Sequence, residues 1–398
     1  MLNSSNFYIN LKKNNTNIKK TKRFFQYLKR DIENLKIPLL ESYKKKYVFN
    51  FSPKTIKKFS RYNNIIIIGM GGSVLGTKSI YSFFKRKINK NIFFFDNLDL
   101  NLISEYKKVK NLKNSCFIVI SKSGETLETI TNFKIILSKS FFKNKLVIIT
   151  QLKNSNLLKI GNRFNAEIVE HNDFISGRYS VLSEVGMFPS ALMNLKINNF
   201  RNLKKLINNK NFTSSLINSV SSIYSFQQKR IRNSVILNYD SRLNDLSLWY
   251  QQLVGESLGK KGKGINPIVS TCPRDHHSVL QLYLDGPKDK FYTFLSSSHK
   301  EDKNKISAIN IPNNMSFLKN KNLEFIINAQ CTAMKNIFKL KKIPFRQITF
   351  NKKNEEELGE IFTFFVLETI LLSRLMNINP FDQPAVEQVK IETKKFLR

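Results

Sequence analysis
Short, β-rich apolar runs alternate with helix-length spacers through the first half of this chain. Ile65–Ile68, Ile92–Phe95, Cys116–Ile120, Leu146–Thr150 and Ala166–Val169 are bounded by polar residues, and stretches such as Thr77–Phe84 and Leu127–Phe142 separate them. Strands recurring at that spacing need crossover connections, so the pattern predicts a parallel sheet flanked by helices. A second set follows the polar stretch Lys196–Lys210. Its strands are expected at Val235–Asn238, Val279–Leu284 and Phe291–Leu295, and its helices around Asp245–Leu258, Phe325–Leu340 and Glu356–Leu375. The chain therefore reads as α/β in two units, in line with the two or three domains that 398 residues suggest. Its most apolar stretch, Ile361–Met376, carries Glu368 and Arg374 and reads as a core helix; no uncharged apolar run reaches membrane-spanning length.

Composition narrows the classes of function. Cys116, Cys272 and Cys331 are the only cysteines and lie far apart, which argues against a disulfide-stapled secreted fold and for a reducing, cytoplasmic setting. The N-terminal MLNSSNFYINLKKNN has no apolar core or small-residue cleavage site, so a signal peptide is not expected. Lys and Arg number 66 against 29 Asp and Glu, a net charge of +37. Clustered cations would point to nucleic acid, but these are scattered from end to end without a binding motif, so no specific nucleic-acid partner is expected. Their general positive potential favours encounter with small anions.

Glycine is scarce, with 14 residues, yet Gly69, Gly71, Gly72 and Gly76 fall in one segment and Gly255, Gly259, Gly262 and Gly264 in another. The first follows the run Ile65–Ile68. Val74 stands where a dinucleotide fingerprint needs its third Gly, and no Lys-Ser/Thr follows Gly76, so neither a Rossmann nor a Walker turn is present. What remains is a turn offering free N–H groups at Gly72 and the Ser73 hydroxyl to a ligand. The second candidate, Ser121-Lys122-Ser123-Gly124-Glu125-Thr126-Leu127-Glu128-Thr129, directly follows a strand. A helix beginning near Ser123 would put Thr126 and Thr129 on one face and Ser121 and Ser123 in the turn before it. Many small donors beside a helix start suit a phosphate monoester.

This run resembles the phosphate-binding element of sugar isomerase (SIS) domains, and four later motifs narrow the resemblance to the glucose-6-phosphate isomerase, or phosphoglucose isomerase, family. These are Gly177-Arg178-Tyr179-Ser180-Val181-Leu182-Ser183-Glu184-Val185-Gly186, the segment Gln252–Lys260 around Glu256, the segment Asp275–Gly286 around His277, and Phe381–Lys390. They occur in order from about residue 65 to 390. Three positions depart from the family pattern: Ser176 precedes Gly177 where Gly is usual, Ser123-Gly124-Glu125 replaces a Thr-rich version, and His276 stands where Gln often precedes the histidine.

The resemblance implies two SIS domains, each a parallel sheet flanked by helices, with the active site between them. The expected division is a basic helical segment over 1–45, a first SIS domain with the phosphate loop over 46–200, a second with the catalytic Glu and His over 201–380, and a C-terminal helix with a catalytic Lys over 381–398. The implied reaction interconverts glucose 6-phosphate and fructose 6-phosphate through a cis-enediol, in a homodimer whose ring-opening histidine comes from the neighbouring subunit. Glu256 would move the proton between C1 and C2, with Gln252 one turn earlier on its face. Arg178 would stabilise the enediolate oxygens. His277, an imidazole, would shuttle the ring-opening proton, and Lys390 would assist. Ser121, Lys122, Ser123, Thr126, Thr129, Gly72, Ser73 and Gly177 would hold the phosphate end and the sugar. Pro384 suits the first position of a helix, which would cap it with Gln383 and point Gln383 and Lys390 one way. Cys272, His276 and His277 lack a second pair with ligand spacing, so neither metal nor cofactor is expected. Three other readings are a bifunctional phosphoglucose/phosphomannose isomerase, a non-catalytic SIS regulator, and the isomerase half of a glucosamine-6-phosphate synthase. The last needs an N-terminal nucleophilic Cys, and the first Cys is Cys116.

Overall fold
The computed structural model describes residues 14–137, 145–298 and 305–397. The N-terminal 1–13 and the end of the expected helix Leu127–Phe142 lie outside them. Among the described residues, nine strands form two all-parallel sheets. The first contains β1 (Asn64–Gly69), β2 (Asn91–Phe95), β3 (Ser115–Ile120), β4 (Leu146–Thr150) and β5 (Glu167–Glu170), in the order β2-β1-β3-β4-β5. The second contains β6 (Asn233–Asn238), β7 (Asn266–Thr271), β8 (Lys290–Ser297) and β9 (Phe345–Phe350), in the order β7-β6-β8-β9.

β1, β3 and β4 are buried at every residue, as expected for parallel strands covered on both faces. Alternation within them sorts the side chains by face. Ile65, Ile67, Ile118, Ile120, Val147 and Ile149 join one core, while Ile66, Ile68, Phe117, Val119 and Ile148 join another. The first of these cores continues through Ile236, Phe291, Leu295 and Ile348 of the second sheet, so both sheets share one apolar interior. The helix Glu355–Met376 runs through it, buried from Leu358 to Ser373 as an all-round apolar helix must be. Its Glu368 pairs with Arg346 at 2.5 Å, each side chain 2% exposed. The Ile361–Met376 reading is borne out.

Two strands escape the apolar-run criterion. β7 includes Pro267 and lies at a sheet edge, and β9 interleaves Arg346, Gln347 and Thr349 with its apolar residues. Conversely, the strand expected at Val279–Leu284 is wrong: Leu280–Asp285 is helical. Both edges of β6 are taken by β7 and β8, and β9 completes β8, so the segment has no interior edge to pair with. Its only buried residue is Tyr283. A short period-two pattern fits one helical turn equally well.

Candidate active site
The order β2-β1-β3 places the turns after β1 and β3 side by side at the carboxyl end of the first sheet, where the chain reverses its winding direction. After β1, Gly72 packs against the turn Gly177–Leu182. A Cβ at Gly72 would overlap the Gly177 carbonyl carbon and lie 2.6 Å from the Arg178 nitrogen, so only glycine permits this approach. Ser180 Oγ donates to the Gly72 carbonyl at 3.2 Å, and Ser73 is half-buried beside it.

After β3, the helix begins at Leu127 rather than near Ser123, so Ser121–Thr126 form a loop. Gly124 turns it with φ +67° and fits against Ser155. Ser121, 1% exposed, shares a 2.8 Å hydrogen bond with Thr126 Oγ1, and Ser123 is exposed and accepts from the Glu125 nitrogen. Thr129 departs from the expected set: it is fully buried within the helix, and its hydroxyl has no partner among the described residues. Lys122 Nζ donates to the Asp173 carbonyl at 2.7 Å. Burial, with repulsion from Lys153 and Arg178, holds this ammonium below the usual lysine range despite Asp173.

The centre of the site is Arg178, whose side chain is 1% exposed. Nε donates to Ser257 Oγ at 2.9 Å, Nη1 to Glu256 Oε2 at 3.1 Å and Gln383 Oε1 at 2.7 Å, and Nη2 to the carbonyls of Pro380 and Asp382 at 2.6 and 3.0 Å. Its five N–H groups thus have five protein acceptors. The fork expected to face an enediolate is saturated: its charge acts through space, and a direct bond to substrate requires Nη1 to exchange Glu256 or Gln383. Glu256 also accepts from Gln252 Nε2 at 2.7 Å, across one turn of the helix Asn244–Leu258. Gln252 Oε1, a buried atom, has no partner among the described residues. A cavity of about 460 Å³ opens here, lined among others by Glu256, Lys260, Asn379, Asp382 and Gln383, within the size range of small-molecule sites.

Two expected residues stand apart. His277 is exposed on the turn Arg274–His277, which Asp275 ties to β7 by accepting from the Thr271 nitrogen at 2.7 Å and Ser270 Oγ at 3.0 Å. Its neighbour His276 points inward to Tyr239 Oη, 2.8 Å from Nε2, and burial, then His277, lowers its pKa. Lys390 lies on the exposed helix Val386–Phe396, paired with Glu387 at 2.6 Å. That helix starts at Val386, so Pro384 precedes it, and Gln383 turns to Arg178 instead of sharing a direction with Lys390. Neither His277 nor Lys390 lines the cavity. Sequence reasoning missed Ser257, Tyr179 and Lys260. Tyr179 Oη donates to the Pro380 carbonyl at 3.1 Å, and Lys260 grips the same turn. Among the described residues no three His, Cys, Asp or Glu gather to hold a metal ion, and no helix is long and apolar enough to cross a membrane.

Fold and site define a class, the parallel α/β sugar-phosphate isomerases: a carboxylate beside a buried guanidinium, with a hydroxyl-bearing loop at a strand's carboxyl end. Comparison with known proteins makes this specific. The phosphoglucose isomerase family model matches residues 51–274. A glucose-6-phosphate isomerase of Methanocaldococcus jannaschii is 34% identical over 345 residues, covering 84% of each chain. One from Campylobacter jejuni is 30% identical, covering 84% of this chain and 85% of its own. A crystal structure of a hypothetical protein from Thermus thermophilus shares the fold, with a TM-score of 0.80 at 21% identity over 96% of this chain and 94% of that one. The chain belongs to the phosphoglucose isomerase family.

Proposed function
We infer that this chain interconverts glucose 6-phosphate and fructose 6-phosphate, an aldose–ketose isomerisation in glycolysis and gluconeogenesis. The observation that carries the reading is the Glu256 carboxylate, held by Gln252 Nε2 and Arg178 Nη1 and lining a cavity. One carboxylate on one face of an open-chain sugar can take the proton from C2 and return it to C1, leaving a cis-enediol between the two events. Arg178 orients that carboxylate and offsets the charge that develops on the oxygens. Ser121, Ser123, Thr126 and Lys122, with the Gly72–Ser73 turn and Gly177, hold the phosphate end.

Ring opening falls to His277 and Lys390. Their place outside one chain's cavity supports a homodimer in which His277 serves the neighbouring subunit's site, with the C-terminal helix closing toward the cleft it borders. In this reading 46–200 and 201–380 are the two SIS domains, 1–45 and 381–398 are their helical extensions, and the enzyme works in the cytoplasm. The test is a coupled assay that supplies fructose 6-phosphate and detects glucose 6-phosphate; turnover by the purified protein is expected, and its absence from folded protein would overturn the reading.

A further inference from the structure
Just beyond Glu256, the helix Asn244–Leu258 ends in a tight turn in which the Lys260 nitrogen donates to the Lys263 carbonyl at 3.1 Å and the Lys263 nitrogen donates back at 2.9 Å. This fixes the Lys260 backbone. Its side chain is only 10% exposed, unusual in a chain whose lysines mostly reach solvent. Nζ meets three acceptors: the Asn379 carbonyl at 2.5 Å, the Asp382 carbonyl at 2.6 Å and Asp382 Oδ1 at 2.6 Å. An ammonium has three protons, so its bonding capacity is filled by one turn of chain. The Asp382 carbonyl also accepts from Arg178 Nη2 at 3.0 Å, so one oxygen joins the two cations. The next residue, Gln383, accepts from Arg178 Nη1, the nitrogen that also holds Glu256.

Resting on the isomerase reading, we propose that Lys260 is a positioning residue for the reaction: it clamps the 379–383 turn, and through that turn sets Gln383 and the Arg178 guanidinium in register with Glu256. Without the clamp, the turn that supplies three of the five acceptors of Arg178 is held on one side only. The guanidinium then loses its fixed angle to the carboxylate. The loop Ser121–Thr126 has no hydrogen bond to this turn among the described residues. The loss therefore falls on the proton-transfer step and spares ground-state binding.

The test compares Lys260→Met and Lys260→Arg with the parent in fructose 6-phosphate turnover, inhibition by inorganic phosphate, and amide exchange over residues 379–383. For Lys260→Met the expected result is a kcat lower by about tenfold or more, the scale on which a displaced catalytic group costs rate. KM and the phosphate inhibition constant should stay within about threefold, exchange in 379–383 should rise, and Lys260→Arg should restore part of the rate. A folded Lys260→Met with parent kcat, or one that changes only KM, overturns the proposal. Should Lys260→Met not fold, Asp382→Ala removes one acceptor from a half-exposed side chain; a lowered kcat with unchanged KM supports the clamp, and parent kinetics overturn it. A parent protein that does not turn over the sugar phosphate would instead overturn the functional reading, and amide exchange would still decide whether Lys260 holds the turn.

Discussion

Arg178 Nη1 lies 3.1 Å from Glu256 Oε2, joining a guanidinium that is almost wholly buried to a carboxylate that is 30% exposed. The two differ in their freedom to move. Arg178 is locked by acceptors from the helix Asn244–Leu258 and from the 379–383 turn and cannot leave, whereas Glu256, open toward the cavity, can meet a substrate carbon.

Arg178→Lys should be poorly tolerated. A lysine supplies three donors where five acceptors converge, and the carbonyls of Pro380 and Asp382 lose partners. Those two carbonyls keep Tyr179 Oη and Lys260 Nζ, so the cost lies in the charge-assisted bonds that are lost, about 1.5–3 kcal/mol each. Urea unfolding should therefore show a lower midpoint, and kcat should fall by about 10² or more as charge placement fails. Parent-like stability and kcat together would contradict the saturated-fork geometry.

At the phosphate loop, replacing the hydroxyl pair Ser121 and Thr126 with Ala should raise KM about tenfold or more while leaving kcat within about threefold, because phosphate contacts act alike in ground and transition states. Binding of 6-phosphogluconate should weaken in parallel. Affinity unmoved by the double substitution would place the phosphate elsewhere.

Acid should destabilise this protein partly through His171, which is 2% exposed and whose pKa burial depresses from 6.5 to about 4, against the pull of its contact to the Asn172 carbonyl. The folded state prefers the neutral ring. That contribution is complete above the unfolded pKa and is lost as pH falls from about 6.5 toward about 4, because only the unfolded chain takes up the proton. The His171→Gln variant should lose about 2–3 kcal/mol less than the parent between pH 7.5 and 4.5. Equal losses in equilibrium unfolding would show that His171 is not buried neutral.

Much of the architecture was legible because β1, β3, β4, β6 and β8 are bare apolar runs whose burial needs no partner-specific chemistry. β9 was not, since Arg346 breaks its run and is buried only because Glu368 arrives from a helix 22 residues on. Glu256, Arg178 and Gln252 stood out in local motifs, and in the structure Arg178 and Gln252 both donate to Glu256. Lys260 and Ser257 sat within the same motif unnoticed. Among 66 cationic residues, nothing local marks the one whose ammonium will be enclosed by a turn more than a hundred residues away. Thr129 failed for the opposite reason: the helix start lies four residues later than its hydroxyl spacing suggested, which turns it into the core.

If His277 serves the neighbouring subunit, Glu256→Gln and His277→Ala chains, each inactive on cyclic substrate, should regain activity when mixed. A mixed dimer holds one site with both residues intact and one with neither. Differently tagged chains purified as heterodimers should turn over fructose 6-phosphate, and purified heterodimers without activity would place His277 in its own chain's site.

The proposed role of Glu256, carrying the proton between C1 and C2, has a direct isotopic test. Fructose 6-phosphate incubated in D₂O with the parent protein should acquire solvent deuterium at the exchanging carbon as it isomerises. With folded Glu256→Gln, label and turnover should both fall by about 10²–10⁴. Deuterium entering at the parent rate in folded Glu256→Gln would contradict the assignment.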